Sequence, residues 1–232
     1  MQHRRSVLTS FVPTFVIALF CAASLSGQSA KQDAADVERL VKALEIRAGS
    51  TVGEIGAGGG ELSLAIAKVV GETGRVFSNE LNAERLKSLA QTFEQAGAKN
   101  VTAVEGRAAD TNFSPECCDA IFMRNVYHHF ADPAAMNASL FKSLKPGGRI
   151  AIIDFTPPKE AATPAHRGDD GSHGVSAATV ARELTSAGFE IISSETVSRG
   201  ITVVARRPAS PSIPVPATPE CDRLKPASRW PN

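Results

Sequence analysis

The chain lacks an excess of charge of either sign, internal repeats and the residue spacing of a metal site. Its 232 residues include 25 Lys and Arg against 24 Asp and Glu, a formal net charge of +1. This balance, without a long basic run, gives no reason to expect nucleic acid as a partner. Since 43% of the residues are hydrophobic, the chain can bury one substantial core, and we expect one folded domain with no bound metal.

Cysteine is scarce, and its positions do not indicate a disulfide framework. Of the four cysteines, Cys21 lies in the N-terminal segment, which leaves an odd number, Cys117, Cys118 and Cys221. The neighbours Cys117 and Cys118 could pair only through a strained vicinal bond. We interpret both as small hydrophobic residues that are buried where they lead into a strand.

The N-terminal segment differs in composition from the rest of the chain. Arg4 and Arg5 precede an apolar stretch over residues 7–23, and small residues follow as far as Ala30. This order predicts a secretory signal peptide over residues 1–30, so we expect an exported protein, periplasmic or secreted. The alternative is an uncleaved membrane anchor over residues 7–23, which would be the protein's only association with a membrane.

A glycine-rich loop lies between a predicted strand, Thr51–Ile55, and a predicted helix, Glu61–Val70. The loop reads Gly-Ala-Gly-Gly-Gly over residues 56–60, and glycine there lets backbone N–H groups approach a nucleotide-like ligand. A dinucleotide-binding loop requires a third glycine where Glu61 stands, so the pattern disfavours an NAD-dependent oxidoreductase. Glu54 at the strand end suits a cationic amino-acid group, which S-adenosylmethionine (SAM) carries and NAD lacks.

A second acid follows the next predicted strand. Residues Arg75–Asn79 are predicted to form this strand, and Glu80 follows it directly. Glu80 is thus about half of a βαβ unit further along the chain than the glycines. Each carboxylate oxygen can accept one hydroxyl, so Glu80 suits the paired hydroxyls of a ribose. The alternative is that residues 56–60 are only a flexible turn and that Glu80 is a solvated loop acid.

Strands and helices alternate along residues 31–207, with short Gly or Asn junctions between them. Beyond the elements already named, the pattern predicts a first helix, Ala34–Ile46, and the strands Val101–Glu105, Cys118–Arg124 and Arg149–Asp154. This alternation predicts an α/β fold, a Rossmann-like doubly wound sheet that is mostly parallel with an antiparallel edge strand and carries helices on both faces. Ligands of such sheets bind beyond the carboxyl ends of the strands, where the strand order reverses. The remaining residues, 208–232, are rich in proline and predict a disordered tail.

These motifs resemble those of the class I SAM-dependent methyltransferases, in particular the ubiquinone-biosynthesis-like group that acts on small molecules. The resemblance covers about Val37 to Arg206 and extends to three further segments, Val104–Ala108, Asp119–Phe130 and Leu144–Ile150. It implies SAM as the cofactor and a small-molecule methyl acceptor as the partner. It also implies a set of cofactor-binding residues: Glu54, Gly56, Ala57, Gly58, Gly60, Glu80, Leu81, Arg107, Ala108 and Asn125.

The turn after the third strand departs from the family's pattern. Relatives often carry Asp after the glycine to hold the adenine amino group, and here Arg107 takes that position. Adenine could be held by stacking of Arg107, by the Ala108 backbone or by Asp110 reaching back, and we favour the backbone with Arg107 stacked on the ring. The alternative is a solvated Arg107 without a role in binding.

The exit of the fourth strand carries Asn125, Tyr127, His128 and His129, where members of the family place groups near the departing methyl. Methyl transfer depends mainly on positioning two bound reactants in line, and a base is required only if the acceptor must lose a proton. We take Tyr127, His128 and His129 as the candidate catalytic residues, since histidine titrates in the range a base needs. The alternative for the histidines is a structural or cofactor-covering role, and Tyr127 could orient an acceptor or only fill the lip.

Charged and imidazole side chains occupy the loop over residues 156–176: His166, Arg167, Asp169, Asp170 and His173. Loops over the carboxyl edge of a sheet carry specificity, so we expect an acceptor pocket or lid here. A metal site is disfavoured because the glycine-rich spacing fixes no coordination geometry.

A rival interpretation follows from the predicted export. SAM is made in the cytoplasm, so an exported protein of this kind could be a Rossmann-like SAM- or nucleotide-binding module that has lost transferase activity. Binding of SAM and of NAD to the purified protein distinguishes these functions from an NAD-dependent oxidoreductase. The sequence does not specify the acceptor, the methylated atom or the oligomeric state.

Overall fold

The computed structural model describes residues 30–198 and 200–209 of the chain. Apart from Ala30, the predicted signal peptide or anchor lies outside the described residues, and so does the predicted tail apart from Pro208 and Ala209. The chain divides into two units after Asp36, and the described part of the first unit is helical. None of the helices in the described ranges is long and apolar enough to cross a membrane.

Helices and strands alternate in the predicted order. The strands are β1 (Thr51–Ile55), β2 (Arg75–Glu80), β3 (Val101–Glu105), β4 (Cys118–Arg124), β5 (Leu144–Phe155), β6 (Glu190–Val197) and β7 (Gly200–Arg206). The helices are α1 (30–43), α2 (Glu61–Val70), α3 (Ala83–Gln95), α4 (Pro133–Ser143) and α5 (Ala177–Ser186). Short 3-10 turns lie at Tyr127–His129 and at Pro164–His166.

The strands of the described residues form one sheet in the order β3-β2-β1-β4-β5-β7-β6. Strand β1 pairs in parallel with β2 and with β4, and β4 pairs in parallel with β5. Strand β7 runs antiparallel to both of its neighbours, β5 and β6, at one edge of the sheet. The predicted Rossmann-like, mostly parallel sheet with antiparallel pairing at one edge is thus confirmed. The strand order reverses between β1 and β4, so a ligand site is expected beyond their carboxyl ends.

Apolar residues cover both faces of the sheet. Because side chains alternate along a strand, β1 sends Val52 to one layer and Ile55 to the other. Val52 packs in the cluster that contains Ile66 of α2, and Ile55 packs in the cluster that contains Leu140 of α4. The central strands are therefore buried on both sides, as in parallel sheets generally.

The interpretation of the adjacent Cys117 and Cys118 as small, buried hydrophobic residues is confirmed. Cys117 and Cys118 are both fully buried thiols at the start of β4 and belong to the same apolar cluster as Ile55. They fill space in the core as small hydrophobic residues do.

Side-chain caps fix the helix starts nearest the site. Asn82 accepts a hydrogen bond from the N–H of Arg85 at 3.0 Å, which begins α3. Asp132 accepts one from the N–H of Ala135 at 3.0 Å, and Pro133 occupies the first position of α4. Helix α2 instead begins at a glycine without a side-chain cap.

The largest differences from the predicted element boundaries are in two elements, α1 and β5. The first helix, predicted to reach Ile46, ends at residue 43, and Glu45 takes a positive φ of 55°. Strand β5, predicted to begin at Arg149, begins at Leu144, because Cys118 pairs with Leu144 before the register shifts. Neither difference moves a residue of the site.

Candidate active site

A cavity of about 370 Å³ opens beyond the carboxyl ends of β1 to β4, at the reversal of strand order. The loops after these four strands bring many of the predicted site residues to its wall: Gly56, Gly58, Glu80, Leu81, Arg107, Ala108, Asn125 and His129. Five other predicted residues do not line it: Glu54, Ala57, Gly60, Tyr127 and His128. All five of these residues are buried, and different contacts hold each of them away from the cavity.

The glycines of the first loop serve different purposes. Gly56, Gly58 and Gly60 all have a positive φ, which favours residues without a Cβ. A Cβ on Gly56 would lie 2.7 Å from the Val126 side chain, and one on Gly60 would lie 2.7 Å from Leu89 of α3. A Cβ on Gly58 would meet no atom within 4 Å. Gly60 is therefore required for helix packing, whereas Gly58 leaves space in the cavity.

Asn79, which the sequence analysis missed, ties three loops of the cavity together. Its Oδ1 accepts a hydrogen bond from the N–H of Gly56 at 2.9 Å, and its Nδ2 donates to the carbonyl of Thr111 at 3.0 Å. Its carbonyl accepts from the N–H of Ala57 at 3.0 Å, and Ala57 itself is buried in the core. Its position near the carboxyl end of β2, next to Glu80, is the feature of the sequence that could have predicted a role for Asn79 at the site.

Glu80 is held at the cavity wall by backbone donors. Its Oε2 accepts from the N–H of Gly58 at 3.3 Å, and its Oε1 accepts from the N–H groups of Leu81 and Asn82 at 3.0 and 3.3 Å. A carboxylate has about four acceptor positions, so these three bonds leave room for a further donor. To accept two hydroxyls, Glu80 would have to share or release a backbone N–H. The exposed Leu81 side chain forms the lip beside it.

Glu54 points away from the cavity, into the layer between the sheet and α2. It is buried and accepts a hydrogen bond from the hydroxyl of Ser63, which also bonds to the hydroxyl of Ser78 at 2.6 Å. Burial raises the pKa of Glu54 to about 8, although the Ser63 hydrogen bond and the charge of Arg124 oppose that shift. At neutral pH its carboxyl group is therefore mostly protonated.

The turn after β3 places two of its three candidate groups at the cavity. Arg107 and Ala108 are exposed and line the wall. The N–H of Arg107 donates to the carbonyl of Asp110 at 3.1 Å, while the Asp110 carboxylate accepts from the N–H of Asn112 at 2.6 Å. Asp110 does not line the cavity. Its carboxylate is thus engaged in a local turn.

Asn125 and Tyr127 both follow β4, but only Asn125 reaches the cavity. Asn125 has a positive φ of 58° and lines the cavity. Tyr127 is fully buried, where its hydroxyl donates to Oε2 of Glu183 at 3.0 Å and accepts from Nδ2 of Asn137 at 2.8 Å. Burial raises the pKa of the Tyr127 hydroxyl, so it stays protonated. The structure thus gives Tyr127 no contact with the cavity, neither as a lip nor as a group that orients an acceptor.

The two histidines of the same turn also differ. His129 lines the cavity, and its pKa is lowered by partial burial and by the neighbouring His128. His128 is buried, with its Nδ1 atom 2.7 Å from Oδ1 of Asp154 on β5. Only His129 is therefore placed to touch a ligand in the cavity.

The cavity is also lined by residues outside the predicted cofactor-binding and catalytic set: Ile55, Asn79, Arg85, Gly106, Arg124, Val126, Phe130, Ala131 and Met136. Arg85 lies in the first turn of α3 and Met136 in the first turn of α4, so both follow loops that were already assigned to the site. Proximity to those loops was the only signal for them. The two arginines add positive charge to the wall.

The loop over residues 156–176 does not line this cavity. Arg167 is buried and forms an ion pair with Glu183 of α5, the same carboxylate that accepts from Tyr127. His166 and Asp169 form an exposed pair at 3.9 Å. Within the described ranges no group of three His, Cys, Asp or Glu residues is arranged to hold a metal ion.

A family model described as a methyltransferase domain matches residues 46–191, more than half of the chain. The chain therefore belongs to this methyltransferase-domain family. The match begins just before β1 and ends within β6, so it contains all four loops that form the cavity.

The chain is similar to the ubiquinone/menaquinone biosynthesis C-methyltransferase UbiE of Klebsiella pneumoniae, with 31% identity over 114 residues. The match covers 49% of this chain and 45% of that relative, so the chain spans about half the length of the curated relatives it matches. A SAM-dependent methyltransferase from Aquifex aeolicus is 25% identical, with a TM-score of 0.65 over 74% of this chain and 89% of that chain.

The fold is shared with more distant proteins. Phosphoethanolamine N-methyltransferase 2 of Haemonchus contortus, solved in complex with SAM, is 14% identical, with a TM-score of 0.64 over 75% of this chain and 52% of that chain. The predicted resemblance to the class I SAM-dependent methyltransferases of the ubiquinone-biosynthesis-like group is confirmed. Membership of that class implies SAM as the cosubstrate.

Proposed function

We propose that this chain transfers the methyl group of SAM to a small-molecule acceptor, and that the cavity beyond β1 to β4 holds SAM. The observation that carries the proposal is the pairing of Gly58 with Glu80 at one wall. Gly58 leaves space for a ligand beside exposed backbone, and Glu80 presents a fixed carboxylate 3.3 Å from its N–H. The cavity volume of about 370 Å³ lies within the range of small-molecule sites.

The residues of the wall fit the parts of SAM. Glu80 accepts from the ribose hydroxyls, and the exposed Leu81 and Arg107 side chains cover the adenine, whose edge bonds to the backbone of Ala108. Gly56 and Asn125 line the cavity directly after the two central strands, β1 and β4, and both have a positive φ. Ala57 and Gly60 support the loop from behind, through the core and through α3.

Glu54 lies near the carboxyl end of β1, directly before Ile55 of the cavity wall. A cationic amino group bound nearby favours the ionised form of a buried acid. We therefore infer that Glu54 ionises when the amino-acid end of SAM binds, with Ser63 holding the carboxylate. In this role Glu54 is mostly protonated before SAM binds and does not contact the ligand directly, unlike an acid that is already ionised in the empty site.

Catalysis comes mainly from positioning. When bound, SAM supplies a sulfonium methyl group, which an acceptor attacks in line. The residues of this chain hold the two reactants at that geometry and exclude water, which can supply most of the rate enhancement. His129 stands at the wall to accept a proton where the acceptor carries one.

Titration calorimetry of the purified chain with SAM, S-adenosylhomocysteine and NAD tests the proposal. We expect both adenosyl ligands to bind and NAD to bind at least about tenfold more weakly, since Glu61 stands where a dinucleotide loop has glycine. Binding of NAD alone would contradict the proposal. The rival function, an exported SAM-binding module without transferase activity, predicts the same binding but no transfer of labelled methyl to any acceptor.

The proposed location is outside the cytoplasm after cleavage of residues 1–30. This location is supported by the order of the N-terminal segment: Arg4 and Arg5 come first, then the apolar stretch over residues 7–23, then small residues. An uncleaved anchor over residues 7–23 is the alternative. Either location would be consistent with a folded domain that begins near Val37.

A further inference from the structure

Three imidazole rings lie together beside the cavity. The ring centroids of His128 and His129 are 3.9 Å apart, and the ring of His173 lies 4.3 Å from that of His128 and 6.1 Å from that of His129. We call these three residues the histidine cluster. His129 lines the cavity, His128 is buried, and His173 is exposed on the loop over residues 156–176. The cluster thus connects the cavity to the surface through a buried ring.

Asp154, near the end of β5, fixes which nitrogen of His128 carries the proton. Its Oδ1 lies 2.7 Å from Nδ1 of His128, and its Oδ2 accepts the backbone N–H of His128 at 3.0 Å. The backbone N–H of Phe155 also donates to Oδ1, at 2.7 Å. Since an ionised carboxylate can only accept, Nδ1 of His128 is the donor. The lone pair of the neutral ring is then on Nε2.

Nε2 of His128 is buried and has no hydrogen-bond partner among the described residues. Buried acceptors without a partner are uncommon, because they lose their bonds to water without replacement. The titratable groups that face this ring are Asp154 from β5, His129 from the same turn and His173 from the loop above. The structure therefore holds a buried ring nitrogen that can accept a proton, on a ring that a carboxylate orients, next to a second ring that lines the cavity.

We propose that His129 takes a proton from the methyl acceptor and passes it to Nε2 of His128, where Asp154 stabilises the imidazolium. We call this route the proton relay; it rests on the proposed methyltransferase function. His129 is the catalytic base, whereas His128 and Asp154 act through it as positioning residues. The ring centroids are 3.9 Å apart with the planes inclined by 43°, so the proton passes once a rotation of the His129 ring brings one of its nitrogens to the unpartnered Nε2 of His128. Because burial lowers the pKa of His129, its ring is neutral near pH 7 and can accept that proton.

The acceptor's bond to hydrogen breaks in this step, and its electron pair stays on the acceptor atom. That atom bonds to the methyl carbon, while the carbon–sulfur bond breaks with its electron pair on sulfur, which becomes a neutral thioether. The proton rests on His128 and leaves to solvent through the exposed His173. The relay therefore serves an acceptor whose attacking atom still carries its proton at neutral pH, such as a phenol, an enol or a carbon acid.

Nitrogen-15 NMR of the full chain, labelled in its histidine rings, tests the relay without an acceptor. We expect neutral His128 to carry its proton on Nδ1 and, on acidification, to take up a proton on Nε2 before His129 is protonated. In Asp154→Asn the new amide can donate to Nδ1, so the ring proton should move to Nε2 and His129 should be protonated first. Asp169→Asn is the matched control, because it removes an exposed carboxylate from another histidine, and the order should not change.

Protonation of His129 before His128 in the unaltered chain would overturn the relay, whether or not Asp154→Asn folds. An unchanged tautomer of His128 in a folded Asp154→Asn chain would overturn the role of Asp154. Calorimetric titration of the same samples with SAM keeps the two proposals apart. Failure to bind SAM contradicts the proposed function, whereas the wrong proton order in a chain that binds SAM contradicts the relay alone.

Discussion

The backbone N–H of Gly58 donates a hydrogen bond to Oε2 of Glu80 at 3.3 Å, across the gap between the first two loops of the cavity. The other oxygen of the same carboxylate accepts from the N–H groups of Leu81 and Asn82. One side chain thus fixes the separation of the glycine loop from the end of β2. Because both loops are preorganised, SAM binding should cost little backbone ordering.

Gly58→Asn should block SAM while leaving the fold intact. Asparagine tolerates a positive φ, and the new side chain enters the space that now lies open at φ +56°. We expect SAM affinity to fall at least about tenfold by calorimetry, with a change in stability of roughly 1 kcal/mol. Gly97→Asn is the control, since Gly97 has φ +63° and equally open surroundings but lies outside the cavity. Equal SAM affinity of both variants would remove Gly58 from the site.

Glu80→Ala should weaken SAM and S-adenosylhomocysteine alike. Loss of hydrogen bonds to a charged acceptor should cost about 2–4 kcal/mol of binding, or roughly 30- to 1000-fold in affinity. Both ligands carry the same ribose, so calorimetry should give the same loss for each. Glu84→Ala, in the exposed first turn of α3, should leave both affinities unchanged. Strong discrimination between the ligands would instead place Glu80 near the sulfur.

The stability of the chain should fall as the pH rises through neutrality because of Glu54. Its pKa is raised from 4.5 to about 8 in the folded chain, so between these values the unfolded chain has lost a proton that the folded chain retains. Each pH unit in this window lowers the free energy of unfolding by about 1.4 kcal/mol. Urea unfolding at pH 5.5 and 7.5 should show a loss of about 2–3 kcal/mol.

Glu54→Gln should remove this part of the pH dependence, because an amide does not titrate. Glu94→Gln, at an exposed position of α3, should retain it. A pH dependence that is equal in Glu54→Gln and the unaltered chain would show that Glu54 is ionised in the folded state without ligand.

Tyr127→Phe should affect stability more than binding. The change leaves Nδ2 of the buried Asn137 without its acceptor and removes a donor to Glu183, at a cost of roughly 1–3 kcal/mol. SAM affinity should stay within about twofold, as the hydroxyl does not reach the cavity. Thermal melts and calorimetry measure the two effects. A tenfold loss of SAM affinity at unchanged stability would restore Tyr127 to the site.

The mature protein should begin between Ser24 and Lys31 and occur outside the cytoplasm. Fractionation of cells followed by N-terminal sequencing checks both parts of this prediction. An intact Met1 in the cytoplasmic fraction would refute export. An intact Met1 in the membrane fraction would support the anchor, and protease accessibility would then show on which side the domain lies.

The backbone of the site could be predicted from sequence because local signals agree there. The glycines at residues 56–60, the cap Asn82 and the pair Asp132–Pro133 each mark a boundary, and β1, α2, β3 and β4 have the predicted bounds. These signals depend on neighbours along the chain. Parallel pairing then brings the loops together at one edge.

The directions of the side chains could not be predicted in the same way, because their partners are remote in sequence. Glu54 and Glu80 both lie near the carboxyl end of a strand, yet Glu54 turns into the core because Ser63 of α2 and Ser78 of β2 offer hydroxyls there. Tyr127 turns inward because Glu183, 56 residues further along, accepts its hydroxyl. Such pairings depend on the tertiary fold.

Strand β7 is the last of the described strands along the chain, ending at Arg206, yet it lies inside the sheet, between β5 and β6. Until it has been synthesised, β5 has an open edge and β6 has no neighbour within the described sheet. The loops that form the cavity leave the ribosome earlier, but the sheet beneath them cannot close before residues 200–206 have emerged. Chains cut short before Gly200 should therefore expose a long apolar strand edge and aggregate, even though no residue of the cavity is missing.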